Sequence, residues 1–215
     1  MKKPQIPVAK EGYPFIFFAG FVTLVLTLVG CSWAAYIGLA ITAFILYFFR
    51  DPERFITEKE HTIVAPADGK VIAIEKIYDD DFLQERAYKI SIFMNIFNVH
   101  VNRIPYSGRI SQIRYSPGAF YSADSERGAL HNEKCATIVE SDSGVKIAFV
   151  QVAGLIARRI VNWLEIGDTV AKGERFGLIR FGSRVDIYVP ADIALAVEKG
   201  AKVSAGETIL GYLSI

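Results

Sequence analysis

The chain has 215 residues, of which 52% are hydrophobic, and its formal net charge is +1. That length suits one ordinary domain with a small appendage, and the near-neutral charge balance argues against a dedicated nucleic-acid binder. The two cysteines, Cys31 and Cys135, are too few for a disulfide framework or a four-ligand zinc site.

The hydrophobic residues are concentrated near the N-terminus, where residues 12–49 contain no charged side chain. This run is nearly twice the roughly 20 residues that one membrane crossing needs, and the sequence Gly-Cys-Ser interrupts it at 30–32. We therefore predict two short helices, at about 14–29 and 33–49, that form a membrane hairpin; one long tilted helix is the alternative. The run is too long for a secretory signal and has no small-residue cleavage site followed by polar sequence.

Positive charges flank the apolar run on both sides. Three lysines precede it, and Arg50 and Arg54 follow it. Because Lys and Arg accumulate on the cytoplasmic side of membrane segments, both ends of the hairpin are predicted to lie there. The sequence therefore predicts a protein of the inner cell membrane that faces the cytoplasm, with a membrane-embedded segment at 1–50 and a second domain at 51–215.

The second domain is rich in short β-branched runs, several of which alternate apolar and polar residues. Turn signals that contain glycine or proline separate these runs. The pattern predicts a mostly β domain of the barrel or sandwich class with few helices, although 153–164 lacks turn signals. The five clearest predicted strands are 62–65, 70–74, 88–93, 136–139 and 145–152.

A weak internal repeat occurs near the C-terminus. Residues 165–177 and 198–211 share the spacing Gly-x-x-Val-x-x-Gly-Glu, in which the glycines suit positive-φ turns and the valine suits a buried position. The spacing resembles the hammerhead turns of lipoyl- and biotinyl-type β-sandwiches. No lysine stands in the exposed hairpin setting that lipoylation needs, so the repeat predicts turns and not a carrier function.

The most informative short motif is Gly182-Ser183. An apolar segment precedes it, Arg184 and Asp186 follow it, and a second strand is predicted at 187–189. In this setting the motif resembles the self-cleavage site of phosphatidylserine decarboxylases, which are enzymes that make a pyruvoyl cofactor from an internal serine.

The resemblance extends over residues 48–215 and is to the short bacterial and archaeal branch of that family. The sequences Phe-Phe-Arg-Asp-Pro-Glu-Arg at 48–54 and Ala-Gly-Leu-Ile-Ala-Arg-Arg at 153–159 belong to it. It implies a membrane-bound enzyme that converts phosphatidylserine to phosphatidylethanolamine and CO2 through a Schiff base with the pyruvoyl group. The precursor is expected to cleave itself into a β chain, 1–182, and an α chain, 183–215.

The resemblance also implies roles for individual residues in self-cleavage. Ser183 is expected to attack the Gly182 carbonyl and then to become the pyruvoyl group, which requires a base and an orienting carboxylate. His100, at the end of an apolar strand before a Pro-x-x-Gly turn, is the expected base. Asp68, in a Pro-x-Asp-Gly motif, is the expected third member of an Asp-His-Ser triad, with Asp186 as the fallback.

This chain departs from the longer members, which carry two histidines three residues apart in that strand. Here the two positions are His100 and Arg103. Either His100 serves both cleavage and decarboxylation, or Arg103 or His131 takes up one of the steps. Arg103, Arg158 and Arg159 are the expected binding residues for the headgroup phosphate or carboxylate, because guanidinium binds such anions in a bidentate manner.

Other functions remain as alternatives. Archaetidylserine or another serine-headgroup lipid would suit the same site, because the lipid tails lie far from the reacting carbon. A non-enzymatic, membrane-anchored lipoyl-like sandwich would keep Ser183 as a turn residue in an uncut chain. A zinc endopeptidase needs more clustered histidines than this chain has, so no metal is expected. The expected partners are phosphatidylserine in the membrane and the two fragments of one precursor; a homo-oligomer is left open.

Overall fold

The computed structural model describes residues 7–155, 159–180 and 182–213. The chain divides into two compact units, Met1–Glu53 and Arg54–Ile215. This division falls near the predicted domain boundary, between residues 50 and 51.

The N-terminal unit is a helical hairpin. A 3-10 turn, Lys10–Gly12, leads into helix α1, Tyr13–Leu28, and helix α2 spans Ser32–Phe48. Gly30 lies between the two helices with φ +80°, in the left-handed region that favours glycine. The prediction of two short helices is therefore confirmed, and the alternative of one long helix is wrong.

The two hairpin helices face each other through small and hydroxyl-bearing residues. The Oγ1 atoms of Thr23 and Thr42 are 3.3 Å apart, and Gly38 lies against Thr23. Large apolar side chains elsewhere on both helices are exposed, among them Phe17 at 74%. The segment Lys10–Leu28 is long and apolar enough to cross a membrane, while α2 is a shorter apolar helix. Such an exposed apolar surface is a feature of membrane-associated segments.

The second unit is mostly β, as predicted. Among the described residues its strands form one curled eight-stranded sheet and two three-stranded sheets, and a short helix, α3, spans Glu126–His131. The strands are β1 Thr62–Val64, β2 Gly69–Asp79, β3 Glu85–Met94, β4 Val101–Arg103, β5 Gly108–Ser116, β6 Lys134–Glu140, β7 Lys146–Val152, β8 Ile160–Asn162, β9 Thr169–Val170, β10 Arg175–Ile179, β11 Ser183–Pro190, β12 Ala194–Leu195, β13 Lys202–Val203 and β14 Ile209–Tyr212.

The eight-stranded sheet has the order β13-β2-β3-β11-β7-β6-β5-β9, and all neighbouring strands are antiparallel. The smaller sheets have the orders β1-β14-β12 and β4-β10-β8. The main apolar core lies on the inner face of the large sheet and includes Ile92, Phe149 and Ile187. Smaller apolar clusters, with Ala148 and Tyr188, cover part of the outer face. The strand that begins at Ser183 is thus central in its sheet and covered on both faces.

The two copies of the internal repeat form matching turns. Gly167 and Gly200 both have φ +98°, and Gly173 and Gly206 have φ +79° and +77°. The valine of each copy is buried in an edge strand of the large sheet, β9 in the first copy and β13 in the second. The repeat predicted from the sequence is therefore present in the backbone.

Strand boundaries differ from the prediction where polar residues extend a strand. β2 continues to Asp79 because its second half pairs with β3, although several of its side chains there are exposed. β11 begins at Ser183 and not at residue 187, because its polar N-terminal residues pair with both β3 and β7. β5 was not predicted, and most of its side chains are exposed, so it has no apolar alternation to detect.

Candidate active site

Ser183 is the first residue of β11 and lies on the inner face of the large sheet. It is directly opposite Met94 of β3 in the strand register, and it is completely buried. Its Oγ has no hydrogen-bond partner among the residues that the structure describes. Gly182 precedes it with φ +63°, a conformation that a residue with a Cβ rarely adopts. The chain thus turns at Gly182 and enters a central strand at the buried Ser183.

His100 lies against this step and is only 2% exposed. The backbone N–H of Gly182 donates to His100 Nε2 at 3.3 Å, and His100 Nδ1 lies 2.9 Å from the carbonyl oxygen of Asn98. A carbonyl oxygen only accepts, so Nδ1 carries the proton and Nε2 holds the lone pair. The basic nitrogen of His100 therefore faces the N–H of Gly182, one peptide before the Gly182–Ser183 bond.

The carbonyl of Gly182 packs against the backbone of Gly154, just beyond β7. A Cβ built at residue 154 would overlap the Gly182 oxygen, so only glycine allows this approach. Gly154 itself is buried. The carbonyl that self-cleavage must attack is thus held in place by a contact that no other residue type could make without a shift.

Asp68, the predicted triad carboxylate, lies at the start of β2 and is engaged elsewhere. Arg54 Nη2 donates to its Oδ2 at 2.8 Å, and the backbone N–H of Ala205 donates to its Oδ1 at 2.8 Å. Arg54 also donates to Glu207 Oε2 at 2.8 Å. Within the described part of the chain, neither partner of Asp68 is His100. Its triad role stays a prediction, and the carbonyl of Asn98 is one group that orients the imidazole here.

Asp186, the fallback carboxylate, lies on the opposite face of β11 from Ser183. Side chains alternate along a strand, so Ser183 faces the inner core whereas Arg184 and Asp186 face outward. Arg184 Nη2 donates to Asp186 Oδ2 at 2.5 Å, and both side chains are buried. The opposite charges of Arg184 and Asp186 compensate each other on the outer face, and the fold does not direct Asp186 toward Ser183.

The predicted arginines occupy different settings. Arg103 of β4 is 5% exposed, and its Nη1 donates to the carbonyl of Gly173 at 2.9 Å. Arg159 is exposed, which suits contact with an anion from solvent. Arg158 lies outside the described residues. Binding of the headgroup by these three residues remains a prediction.

His131 ends helix α3 and is exposed. It lines a surface cleft of about 300 Å³ together with Asp81, Arg114 and Lys134. Burial lowers the pKa of the Lys134 ammonium, and the nearby Asp186 opposes that shift. The structure thus places His131 in a charged cleft, and its auxiliary role stays a prediction.

Sequence inspection missed four residues of this site: Asn98, Asn102, Gln151 and Gly154. Asn102 of β4 and Gln151 of β7 are completely buried and hydrogen-bonded to each other at 2.9 Å. A glutamine inside the apolar run of β7 was an available signal. Nothing in the sequence marks a backbone carbonyl as the partner of an imidazole or a glycine as the neighbour of a carbonyl.

These side chains and backbone groups fit a catalytic role better than a metal site. In the part of the chain that the structure describes, no three His, Cys, Asp or Glu side chains converge in a way that could hold a metal. A buried serine, preceded by a glycine whose N–H contacts a histidine nitrogen, suits a self-cleaving serine, which needs a base close to it. The fold and the site together therefore define a mostly β, self-processing class of enzyme.

Comparison with known proteins identifies the family. Residues 41–211 match the model of the phosphatidylserine decarboxylase family. The chain is 60% identical over 213 residues to the phosphatidylserine decarboxylase proenzyme of Desulfotalea psychrophila, with 99% of this chain and 100% of the relative covered. The proenzyme of Geotalea uraniireducens is 48% identical with the same coverage. That of Nitratidesulfovibrio vulgaris is 46% identical over 214 residues, with 100% and 98% covered. The chain belongs to the phosphatidylserine decarboxylase family.

Proposed function

We propose that this chain is a precursor that cleaves itself between Gly182 and Ser183 and then converts phosphatidylserine to phosphatidylethanolamine and CO2. The observation that carries the proposal is the 3.3 Å contact between the Gly182 N–H and His100 Nε2, next to a buried serine. Membership of the family supports it, because the relatives are named proenzymes, a name that implies processing.

Self-cleavage begins when Ser183 Oγ attacks the Gly182 carbonyl carbon and His100 Nε2 takes the hydroxyl proton. The C–N bond breaks, and an ester replaces the amide. Removal of the Ser183 α-proton then expels the Gly182 carboxylate and leaves a dehydroalanine. Water converts this group to a ketone and releases ammonia, so each precursor consumes one water and yields two chains.

The pyruvoyl group formed at residue 183 supplies an electron-withdrawing carbonyl that accepts the serine amine and the electrons released with CO2. The position suits such a group, because it is buried, begins a central strand and carries no competing hydrogen bond among the described residues. For this step His100 is protonated at Nε2 as well as at Nδ1, and it delivers the Nε2 proton to the substrate carbon after CO2 leaves. The exposed Arg159, together with Arg158, binds the anionic headgroup, while Arg103 donates to the carbonyl of Gly173.

The apolar hairpin keeps the enzyme at its substrate. Phosphatidylserine resides in a bilayer, and the hairpin exposes large apolar side chains along both helices. Arg50 lies two residues after the end of α2, where a cation favours the anionic lipids of a cytoplasmic leaflet. We infer that the enzyme is bound to the inner membrane and acts at its cytoplasmic face.

Intact-mass analysis of the purified chain tests cleavage. Two fragments, with the smaller starting at residue 183 and blocked by a pyruvoyl terminus, are expected. Ser183→Ala should give one uncut chain that releases no CO2 from phosphatidylserine vesicles. Decarboxylation that survives Ser183→Ala would refute the function, and an uncut wild-type chain would favour a non-enzymatic sandwich. Archaetidylserine offered beside phosphatidylserine distinguishes the two lipid classes.

Asp68 is tested by comparing two variants that break the same ion pair. If Asp68 supports the base, Asp68→Asn leaves the precursor mostly uncut, whereas Arg54→Met removes its partner and still permits cleavage. If both variants cleave normally, Asp68 has no part in the reaction. Circular dichroism on both variants controls for unfolding.

A further inference from the structure

The inner face of the large sheet carries a second buried polar group that self-cleavage does not use. Gln151 of β7 and Asn102 of β4 are both completely buried. Gln151 Nε2 donates to Asn102 Oδ1 at 2.9 Å, and Asn102 Nδ2 contacts Met94 Sδ at 3.7 Å. Asn102 Oδ1 thus accepts a hydrogen bond, and this bond holds the side-chain amide of Gln151 in place through its Nε2 atom.

The other polar atom of the Gln151 amide is its oxygen, Oε1. Gln151 Oε1 is buried and has no hydrogen-bond partner among the residues that the structure describes. Buried acceptors in folded proteins are nearly always satisfied, because an unsatisfied one reduces stability. A buried acceptor of this kind in an apolar strand therefore indicates a ligand that supplies a hydrogen-bond donor.

The strand register places this acceptor beside Ser183. Gln151 is directly opposite Val185 on β11, and Ser183 lies two residues before Val185, so all three side chains point to the inner face. Diagonal neighbours of this kind are within reach of a long side chain or a small group between them. The Ser183 hydroxyl is itself unpartnered within the described ranges, so Gln151 is not engaged in orienting it.

We propose that Gln151 recognises the primary amine of the serine headgroup, with Oε1 accepting an N–H and Asn102 holding the amide in that orientation. The proposal rests on the proposed function. An amine or ammonium offers donors and an amide oxygen only accepts, so the two are complementary. Cleavage removes the Ser183 oxygen with the Gly182 carboxylate, whereas Gln151 Oε1 stays beside residue 183 in the mature site.

The test is Gln151→Met, which keeps most of the volume and removes the acceptor. Fragments of wild-type mass are expected, because Gln151 has no part in cleavage. The KM for phosphatidylserine in mixed micelles should rise about 10- to 100-fold, the effect of one lost hydrogen bond to a charged group. Thr137→Val is the matched control: Thr137 is buried on β6 and accepts from Asn162 Nδ2 at 3.0 Å. That variant should cleave and turn over as the wild type does.

A binding measurement separates amine recognition from a general defect. Phosphatidylethanolamine carries the amine, and phosphatidylpropanol lacks it. Gln151→Met should weaken inhibition by the first lipid about 10-fold or more and leave inhibition by the second unchanged. If Gln151→Met does not fold, Asn102→Ser is used. We expect it to weaken inhibition by phosphatidylethanolamine selectively as well, but by a smaller factor.

Three results would overturn the proposal. They are a wild-type KM in the folded variant, equal weakening of inhibition by both lipids, and a folded but uncut Gln151→Met chain, which would assign Gln151 to cleavage. A wild-type chain that releases no CO2 contradicts the proposed function itself, and that result is visible before any variant is compared.

Discussion

Replacing Gly154 with alanine tests whether the carbonyl of Gly182 must stay where the structure places it. An added Cβ overlaps that oxygen, whereas ordinary van der Waals contact begins at 3.4 Å. The carbonyl must therefore retreat by more than an ångström, or the strands must separate. Gly154 is not one of the positive-φ glycines, so backbone strain adds nothing to the effect. A misplacement of about 1 Å costs about 100-fold in rate, and overpacking costs about 1–3 kcal/mol of stability.

The assay follows the appearance of the small fragment by intact mass after synthesis of the precursor. Gly154→Ala should accumulate uncut chain and cleave about 100-fold more slowly than the wild type. Gly20→Ala is the matched control, because nothing lies within 4 Å of a Cβ added there. Cleavage of Gly154→Ala at the wild-type rate, in a folded chain, would show that the Gly154–Gly182 contact does not position the reacting carbonyl.

Two more variants and one chemical labelling experiment test other parts of the structure. Asp186→Asn should lower the free energy of unfolding by about 3–5 kcal/mol, because it leaves the Arg184 charge buried and unpaired; denaturant titration measures this, and cleavage should continue. Arg54→Met should lower the free energy of unfolding by about 1.5–3 kcal/mol for each of its two lost charged hydrogen bonds, to Asp68 and Glu207; unchanged stability in the same titration would contradict this. Burial raises the pKa of the Cys135 thiol above its ordinary 9.0, so alkylation of the folded protein should stay slow as the pH rises through 9 and become fast in urea.

The general architecture could be predicted because its causes are local. A long uncharged run with a Gly-Cys-Ser interruption indicates a helical hairpin, and the observed turn has Gly30 in the left-handed region. Alternating β-branched runs indicate strands, and the five predicted strands all lie within or overlap observed ones. The repeated glycine spacing predicts matching turns, which the paired φ values of Gly167 and Gly200 display.

The partners within the site could not be predicted, because they depend on register and on backbone atoms. Asp68 was assigned to His100 by resemblance, but its carboxylate contacts Arg54 and Ala205, which are distant in sequence. One group that orients His100 is a backbone carbonyl, and every residue has one, so no residue type could reveal it. Asp186 follows Ser183 closely, yet strand alternation directs it to the opposite face.

We propose that the single histidine of this strand suffices for self-cleavage, a reaction that each chain performs once. A carboxylate partner would both fix the tautomer and stabilise the imidazolium, whereas the Asn98 carbonyl fixes the tautomer without adding a negative charge. Self-cleavage is a single event in the proposed function, so its rate does not limit turnover. Decarboxylation repeats, and in the proposed function His100 acts in it as a proton donor. Arg103 stands where longer members carry the second histidine. It donates a hydrogen bond to the carbonyl of Gly173 and so stabilises the turn before β10.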